Sequence, residues 1–321
     1  MIQRSSWPFL VSLAAMFVAA CGGSNDPAAE AGPGTLAREA ASTEASDLDF
    51  VQTPGGLRVH RSCVHEVANG AFVDSNDDVW VGDRRERHLP RCAHAPRPPT
   101  INGWVEYSSA IAPTNPYGFN WYRQLGIDFV VPSAPTSNGG QLIYLFPGLE
   151  PTTGNSILQP VLQYGTSPAG GGYYWGMANW YVTASGSAVH SPLVRVNAGD
   201  RIRSWVYVPA NVACGTAGTG CRWVVMYYVN DVGVGTYWLY VTPPDRYNWG
   251  FQGALEAYNT NTCDQLPATS TTFTRGSVYE CGASCATSIA VNPTWTNTVL
   301  GGTPSCSYSI TALANGATFN Y

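Results

Sequence analysis

The chain contains no lysine, which excludes Schiff-base catalysis and any Ser-Lys mechanism. Charge of either sign is scarce. Asp, Glu, Lys and Arg together make up 12% of the residues, the formal net charge is −5, and no basic patch offers a footprint for nucleic acid. Histidine is almost confined to one stretch, four of the five residues falling between His60 and His94. A Ser-His-Asp triad would have to be built on His190. Its surroundings, Ala188-Val189-His190-Ser191-Pro192, show no Gly-x-Ser-x-Gly elbow, so this His reads as structural. Outside the N-terminal leader no run of helical period exceeds about ten residues, which argues against an α or α/β class.

What is present begins with an export signal. Arg4 supplies a positive start, and Phe9 to Val18 is an apolar core, too short to span a membrane, which takes ~20 apolar residues, but suited to a secretory signal. The stretch ends Val18-Ala19-Ala20-Cys21, which resembles the bacterial lipobox. The resemblance implies lipidation at Cys21, with an ordinary signal peptide and an incidental Cys as the alternative. Gly22 rather than Asp follows the Cys, so the cell envelope, and the outer membrane in a Gram-negative cell, is the expected address.

Residues 22–56 are rich in small residues and acids and read as a disordered tether. Asp26, Glu30, Glu39, Glu44, Asp47 and Asp49 against Arg38 give 1 − 6 = −5. Residues 57–100 form a small Cys- and His-containing segment closed by Pro96 to Pro99, and residues 101–321 form the main domain.

After Cys21, eight Cys remain: Cys63, Cys92, Cys214, Cys221, Cys263, Cys281, Cys285 and Cys306. An even number in an exported chain reads as disulfides. Cys214 and Cys221 flank one loop, Cys63 and Cys92 flank the N-terminal segment, and the last four allow three pairings. The pattern His60-x2-Cys63-x-His65 with His88-x3-Cys92-x-His94 leaves a Cys2His2 zinc site as the competing reading. An oxidising compartment weighs against it, and no metal or cofactor is expected.

From Trp104 onward, runs of five to ten residues rich in Val, Tyr, Trp and Ile alternate with Gly, Pro and Asn turns. This pattern predicts an all-β, antiparallel two-sheet β-sandwich. Gln159 and Gln163, four apart, share one strand face, with Leu158 and Leu162 on the core face. Tyr173, Trp175, Trp180 and Tyr181 are expected near them as an aromatic-lined groove. Two acids stand out: Glu150, at the end of a strand, and Glu256, flanked by apolar residues in Gly253-Ala254-Leu255-Glu256-Ala257-Tyr258. Burial would raise a strand Glu's pKa toward that of a general acid or base.

Between about residues 104 and 275 the chain resembles the eqolisin-type glutamic peptidases. The resemblance is carried by Gly103-Trp104-Val105, Phe129-Val130-Val131-Pro132, Phe146-Pro147-Gly148-Leu149-Glu150, Val161-Leu162-Gln163-Tyr164-Gly165-Thr166, Asn179-Trp180-Tyr181 and the hairpin Val194 to Ile202. It implies a concanavalin-like sandwich, an acid-acting peptidase and a Glu/Gln dyad that activates water. Gln163 matches the family glutamine by its local motif, with Gln159 as substitute. Glu256 or Gln252 takes the catalytic glutamate's place according to register, and Gln252 there would leave no carboxylate. Glu150 stands where the family carries an acid, and Asn179 where it often does.

Two functions follow as expectations. One is an exported endopeptidase with Glu256, Gln163 and Gln159 as catalytic candidates and Glu150, Tyr173, Trp175 and Trp180 as substrate-binding candidates. The other is a non-catalytic surface lipoprotein that binds polysaccharide or peptide on the same aromatic residues.

Overall fold

The computed structural model describes residues 46–99, 103–152, 156–210, 212, 214, 218–230, 235–283 and 287–321. The leader, the lipidation candidate Cys21, most of the expected tether, and Cys285 lie outside the described residues. Residues from Ala45 to Tyr321 form one compact unit.

Strands dominate. Among the described residues, one sheet of nine runs in the order Thr296–Val299, Gly103–Ile111, Trp249–Tyr258, Leu142–Glu150, Ile157–Ser167, Gly170–Val182, Ala188–His190 and Val64–Glu66, with Val194–Arg195 beside Gly170–Val182. A second sheet of eleven centres on Thr271–Cys281, Tyr122–Val130, Arg201–Tyr207, Trp223–Val229 and Thr236–Val241. The architecture is all-β, as the residue alternation predicts. Leu145, Leu149, Leu158, Leu162 and Leu255 of the first sheet meet Ile127, Phe129, Ile202, Val206 and Phe273 of the second to form the main core.

The two sheets differ on their outer faces, and the sequence carries the reason. Arg201–Tyr207 alternates buried Ile202, Ser204 and Val206 with more exposed Arg201, Arg203, Trp205 and Tyr207, the pattern of a strand with one wet face. Leu142–Glu150 is buried through its first eight residues, which requires cover on both faces. The cover is a smaller apolar cluster of Tyr144, Phe146, Val161, Trp180, Ala254 and Tyr258, against which Val59 and Val51 pack.

Those valines belong to a strap, residues 46–60, laid over the first sheet. Phe50–Gln52 pairs with Arg58–His60, and Thr53 closes the intervening turn by donating its N–H (3.0 Å) and its hydroxyl (2.8 Å) to the Leu57 carbonyl. Asp47 binds Arg58 and Arg97, each at 2.9 Å, and the Arg97 guanidinium lies 3.8 Å over the Phe50 ring. Residues 46–56, expected in the tether, therefore belong to the folded unit. Phe50, Val51 and Val59 have an apolar surface to cover, which composition averaged over residues 22–56 conceals.

Residues 57–100 also differ from a separate appendage. Val64–Glu66 adds in parallel to Ala188–His190 in the first sheet, and Phe72–Val73 adds in parallel to Thr236–Val241 in the second. The segment thus bridges the edges of both sheets.

Disulfides join Cys63 to Cys92, Cys214 to Cys221, and Cys263 to Cys306. Cys281 is also disulfide-bonded. With both thiols of the N-terminal segment consumed, the zinc reading fails. The rings of His60 and His94 instead stack on each other at 3.9 Å.

Phe273 is fully buried between the sheets and packs on Phe129 and Phe319. Phe273→Ala should cost about 3–5 kcal/mol in urea unfolding, whereas Thr274→Ala, on the solvent side of the same strand, should change stability by less than about 0.5 kcal/mol.

Candidate functional site

The strand Trp249–Tyr258 carries Glu256 into the interface between the first sheet and the strap. Its cross-strand neighbours are Tyr144 and Trp104, and its residue surface is fully buried. The two carboxyl oxygens accept the peptide N–H of Gly55 at 3.0 and 3.2 Å, and one accepts the Tyr258 hydroxyl at 3.0 Å. Burial pushes this carboxyl up to about 8. The hydrogen bonds from Tyr258 and Gly55 pull the other way, and the charge of Glu150 adds to the rise.

Gln252 is turned elsewhere. The register shift between Phe251 and Gly253 reverses the alternation at this point. The Gln252 amide donates to the Ser108 hydroxyl, and its oxygen accepts from Arg275 of the second sheet. Of the two residues the resemblance left open, only Glu256 reaches the strap side.

The two glutamines separate just as sharply. Gln163 is spent locally: its amide donates to the carbonyls of Gly165 (3.2 Å) and Gly170 (3.0 Å), and its oxygen accepts from Ser167 at 2.8 Å. The bulge after Tyr164 curls the hairpin so that these carbonyls meet the side chain. This makes Gln163 a clamp on the turn, contrary to the poised donor its local motif suggests. Gln159 is fully buried, and neither polar atom of its amide has a hydrogen-bond partner among the described residues.

Gly55 brings Glu256 and Gln159 together. Its φ is +100°, a backbone conformation that favours glycine, and a Cβ placed on it would stand 2.9 Å from Ile157 Cγ2 and 3.7 Å from Gln159 Nε2. The peptide group of the strap is therefore held with its N–H on the Glu256 carboxyl and Gln159 at its flank. Gly56 is as tightly placed, since a Cβ there would lie 2.6 Å from Trp104 Nε1.

Beside Gly55 lies a cavity of about 330 Å³ whose walls include Leu57, Trp104, Tyr107, Trp249 and Phe251, with Glu150 at its margin. Burial raises Glu150 to about 8 as well. The other substrate-binding candidates are placed less favourably. Trp175 is 3% exposed and belongs to the core between the sheets, and Trp180 is fully buried under the ring of His190. Neither presents a stacking face. Tyr173 is exposed and lies 6.4 Å from Tyr164. His190 itself is buried, its Nδ1 lying 2.9 Å from the Ser191 carbonyl, in keeping with a structural role.

Sequence reasoning missed Gly55, Tyr258 and Tyr144, whose hydroxyl donates to the Gln52 carbonyl at 3.2 Å. A signal for the first existed: Phe50-Val51-Gln52 followed by Thr53-Pro54-Gly55-Gly56 is a strand followed by a turn sequence.

No family model and no curated protein matches this chain. Among solved structures it is similar to scytalido-glutamic peptidase with a peptide-based transition-state analogue, at 11% identity and a TM-score of 0.45, covering 69% of this chain and 98% of that one. It is also similar to SCP-B, a member of the eqolisin family of peptidases, in a complex with the tripeptide Ala-Ile-His, at 13% identity and a TM-score of 0.38 over the same shares.

The buried carboxyls set a pH dependence. Glu106, Glu150 and Glu256 are raised to about 8 and Glu280 to about 7, all chiefly by burial. An unfolded chain releases these protons near the ordinary Glu value of about 4.3, while the folded chain keeps them. Their contribution to stability is therefore complete below that value and is lost as pH rises through the folded values. The melting temperature should fall between about pH 5 and about pH 8, and Glu106→Gln, which removes a buried carboxyl without a hydrogen-bond partner among the described residues, should flatten the fall.

Proposed function

We propose that the protein is a peptide hydrolase of the glutamic type, exported and lipid-anchored through Cys21, with Glu256 and Gln159 as its dyad, held in a closed form by its own strap. The observation that supports this reading is the peptide group of Gly55, seated on the Glu256 carboxyl beside the amide of Gln159, which has no hydrogen-bond partner among the described residues. A face that receives one main-chain amide in this way offers the groups that peptide hydrolysis needs.

With the strap displaced and a substrate in its place, water enters and the desolvation that raises the Glu256 pKa is relieved. The carboxyl then returns toward the ordinary carboxylate range. As carboxylate it takes a proton from water, which adds to the scissile carbonyl carbon. The Gln159 N–H donates to the oxyanion that forms there. Glu256, now protonated, passes its proton to the leaving amine as the C–N bond breaks. Tyr258 positions this machinery by its hydrogen bond to Glu256, whereas Tyr144, bonded to the Gln52 carbonyl, holds the strap in its closed place.

Peptide binding without cleavage is the second reading. It is favoured by the complete burial of Glu256 and Gln159 under the strap. The sugar-binding version loses support with Trp175 and Trp180.

Hydrolysis of an unfolded protein substrate should set in as pH rises through the ordinary carboxylate range, where Glu256 in the opened site loses its proton, and should be abolished in Glu256→Gln. Gln159→Ala should lower kcat about 10²–10³-fold. Gln163→Ala should lower the melting temperature with a much smaller effect on kcat. Absence of cleavage from about pH 2 to about pH 8, both in the natural chain and in Gly56→Val, whose new side chain would collide with Trp104, would sink the hydrolase and leave the binding reading.

A further inference from the structure

The strap is itself a peptide lying on the candidate site, and it shows how another peptide would lie there. Three features define its seating. The residue whose N–H meets Glu256 is glycine, and the space around it admits nothing larger without moving Ile157. The next residue, Gly56, is pressed against the Trp104 indole. The residue after that, Leu57, points its chain toward the cavity of about 330 Å³ and forms part of its wall. This cavity is within the usual size of a ligand site, ~300–1,000 Å³. Its remaining walls come largely from the sheet, as Trp104, Tyr107, Trp249, Phe251 and Ile157.

The aromatic walls are rigidly arranged. Trp104 meets Phe251 at 5.1 Å and Tyr107 at 5.6 Å, and Trp249 meets Phe251 at 4.7 Å. Such a box favours another ring, because edge and face contacts add to the area buried. Leu57 leaves the space unfilled, so the strap is an incomplete occupant of its own groove. It stays because it is covalently attached, which gives it an effective concentration that a free peptide must overcome.

We propose that this cavity is a specificity pocket for a large aromatic side chain of a peptide that turns as the strap does, located two residues beyond a glycine that contacts Glu256. The partner class is thus a peptide of the pattern Gly-Gly-aromatic, and the strap is the competitor it displaces. This assignment rests on the reading of the face as a peptide groove, but it concerns binding and does not require cleavage.

The test uses the full chain carrying Glu256→Gln, whose side-chain carbonyl still accepts the peptide N–H while hydrolysis is blocked. Calorimetric titration compares acetyl-Thr-Pro-Gly-Gly-Phe amide with the same peptide ending in Asp amide. The Phe peptide should bind at least about tenfold more tightly. Adding Leu57→Ser, which weakens the strap's hold without a steric clash, should raise the affinity for the Phe peptide by about tenfold, and Leu57→Trp, which fills the cavity from the strap, should lower it. Equal affinity for the two peptides, or no binding even with Leu57→Ser, would overturn the pocket. Tight Phe-selective binding to a protein whose Glu256 form cleaves nothing would uphold it and reject the hydrolase alone.

Discussion

The hydrogen bond from the Gly55 peptide N–H to the Glu256 carboxyl is the constraint on which the first sheet's outer face depends. A carboxyl taken fully out of water needs donors around it or must keep its proton. Here one backbone N–H and the Tyr258 hydroxyl supply donors, and burial keeps the proton on as well. Gly55 can reach the carboxyl only because it lacks a side chain, and Gly56 can follow only by lying flat against Trp104. From these two residues the turn closes through Thr53 and Leu57, the flanking strands pair, and Val51 and Val59 cover the apolar floor.

Burial on both faces is what distinguishes the central strands of this sheet. An antiparallel sheet normally shows water one face, and the second sheet does so with Arg201, Arg203, Trp205 and Tyr207. The first sheet exchanges that solvent face for the strap. Polar residues appear within it only at a few positions, and Glu256 and Gln159 are two of them. Each is held at some cost inside an apolar layer, which is the kind of local inconsistency on which the proposed site rests.

The sandwich was largely legible in the sequence, because strand alternation and turn residues are local signals. Arg201 to Val208 and Ile157 to Gln163 could be assigned without knowing their neighbours. The pairings of Cys63 with Cys92 and of Cys214 with Cys221 were legible from their spacing around single segments. The site was legible only in part. Choosing Glu256 over Gln252 depends on a register shift at Phe251 to Gly253, and choosing Gln159 over Gln163 depends on a bulge after Tyr164. A one-residue slip reverses every side chain that follows, and no local motif announces where it occurs. The strap was hidden for a different reason. Its Phe50, Val51 and Val59 are diluted when composition is averaged with the acidic segment before it, and its order comes from a partner surface some two hundred residues away in the chain.

The topology of the strap also has a mechanical consequence. Any pull on the chain ahead of residue 46 arrives first at Asp47, bridged to Arg58 and Arg97, and then at Phe50, at the open end of a hairpin with three residue pairs. The load opens these pairs one after another, as a zipper yields, rather than shearing them together. Beyond them the chain runs into Cys63, covalently locked to Cys92, and the load is shared between two points of the chain. The strap, held by short pairings, thus meets such a load before the sandwich behind it does.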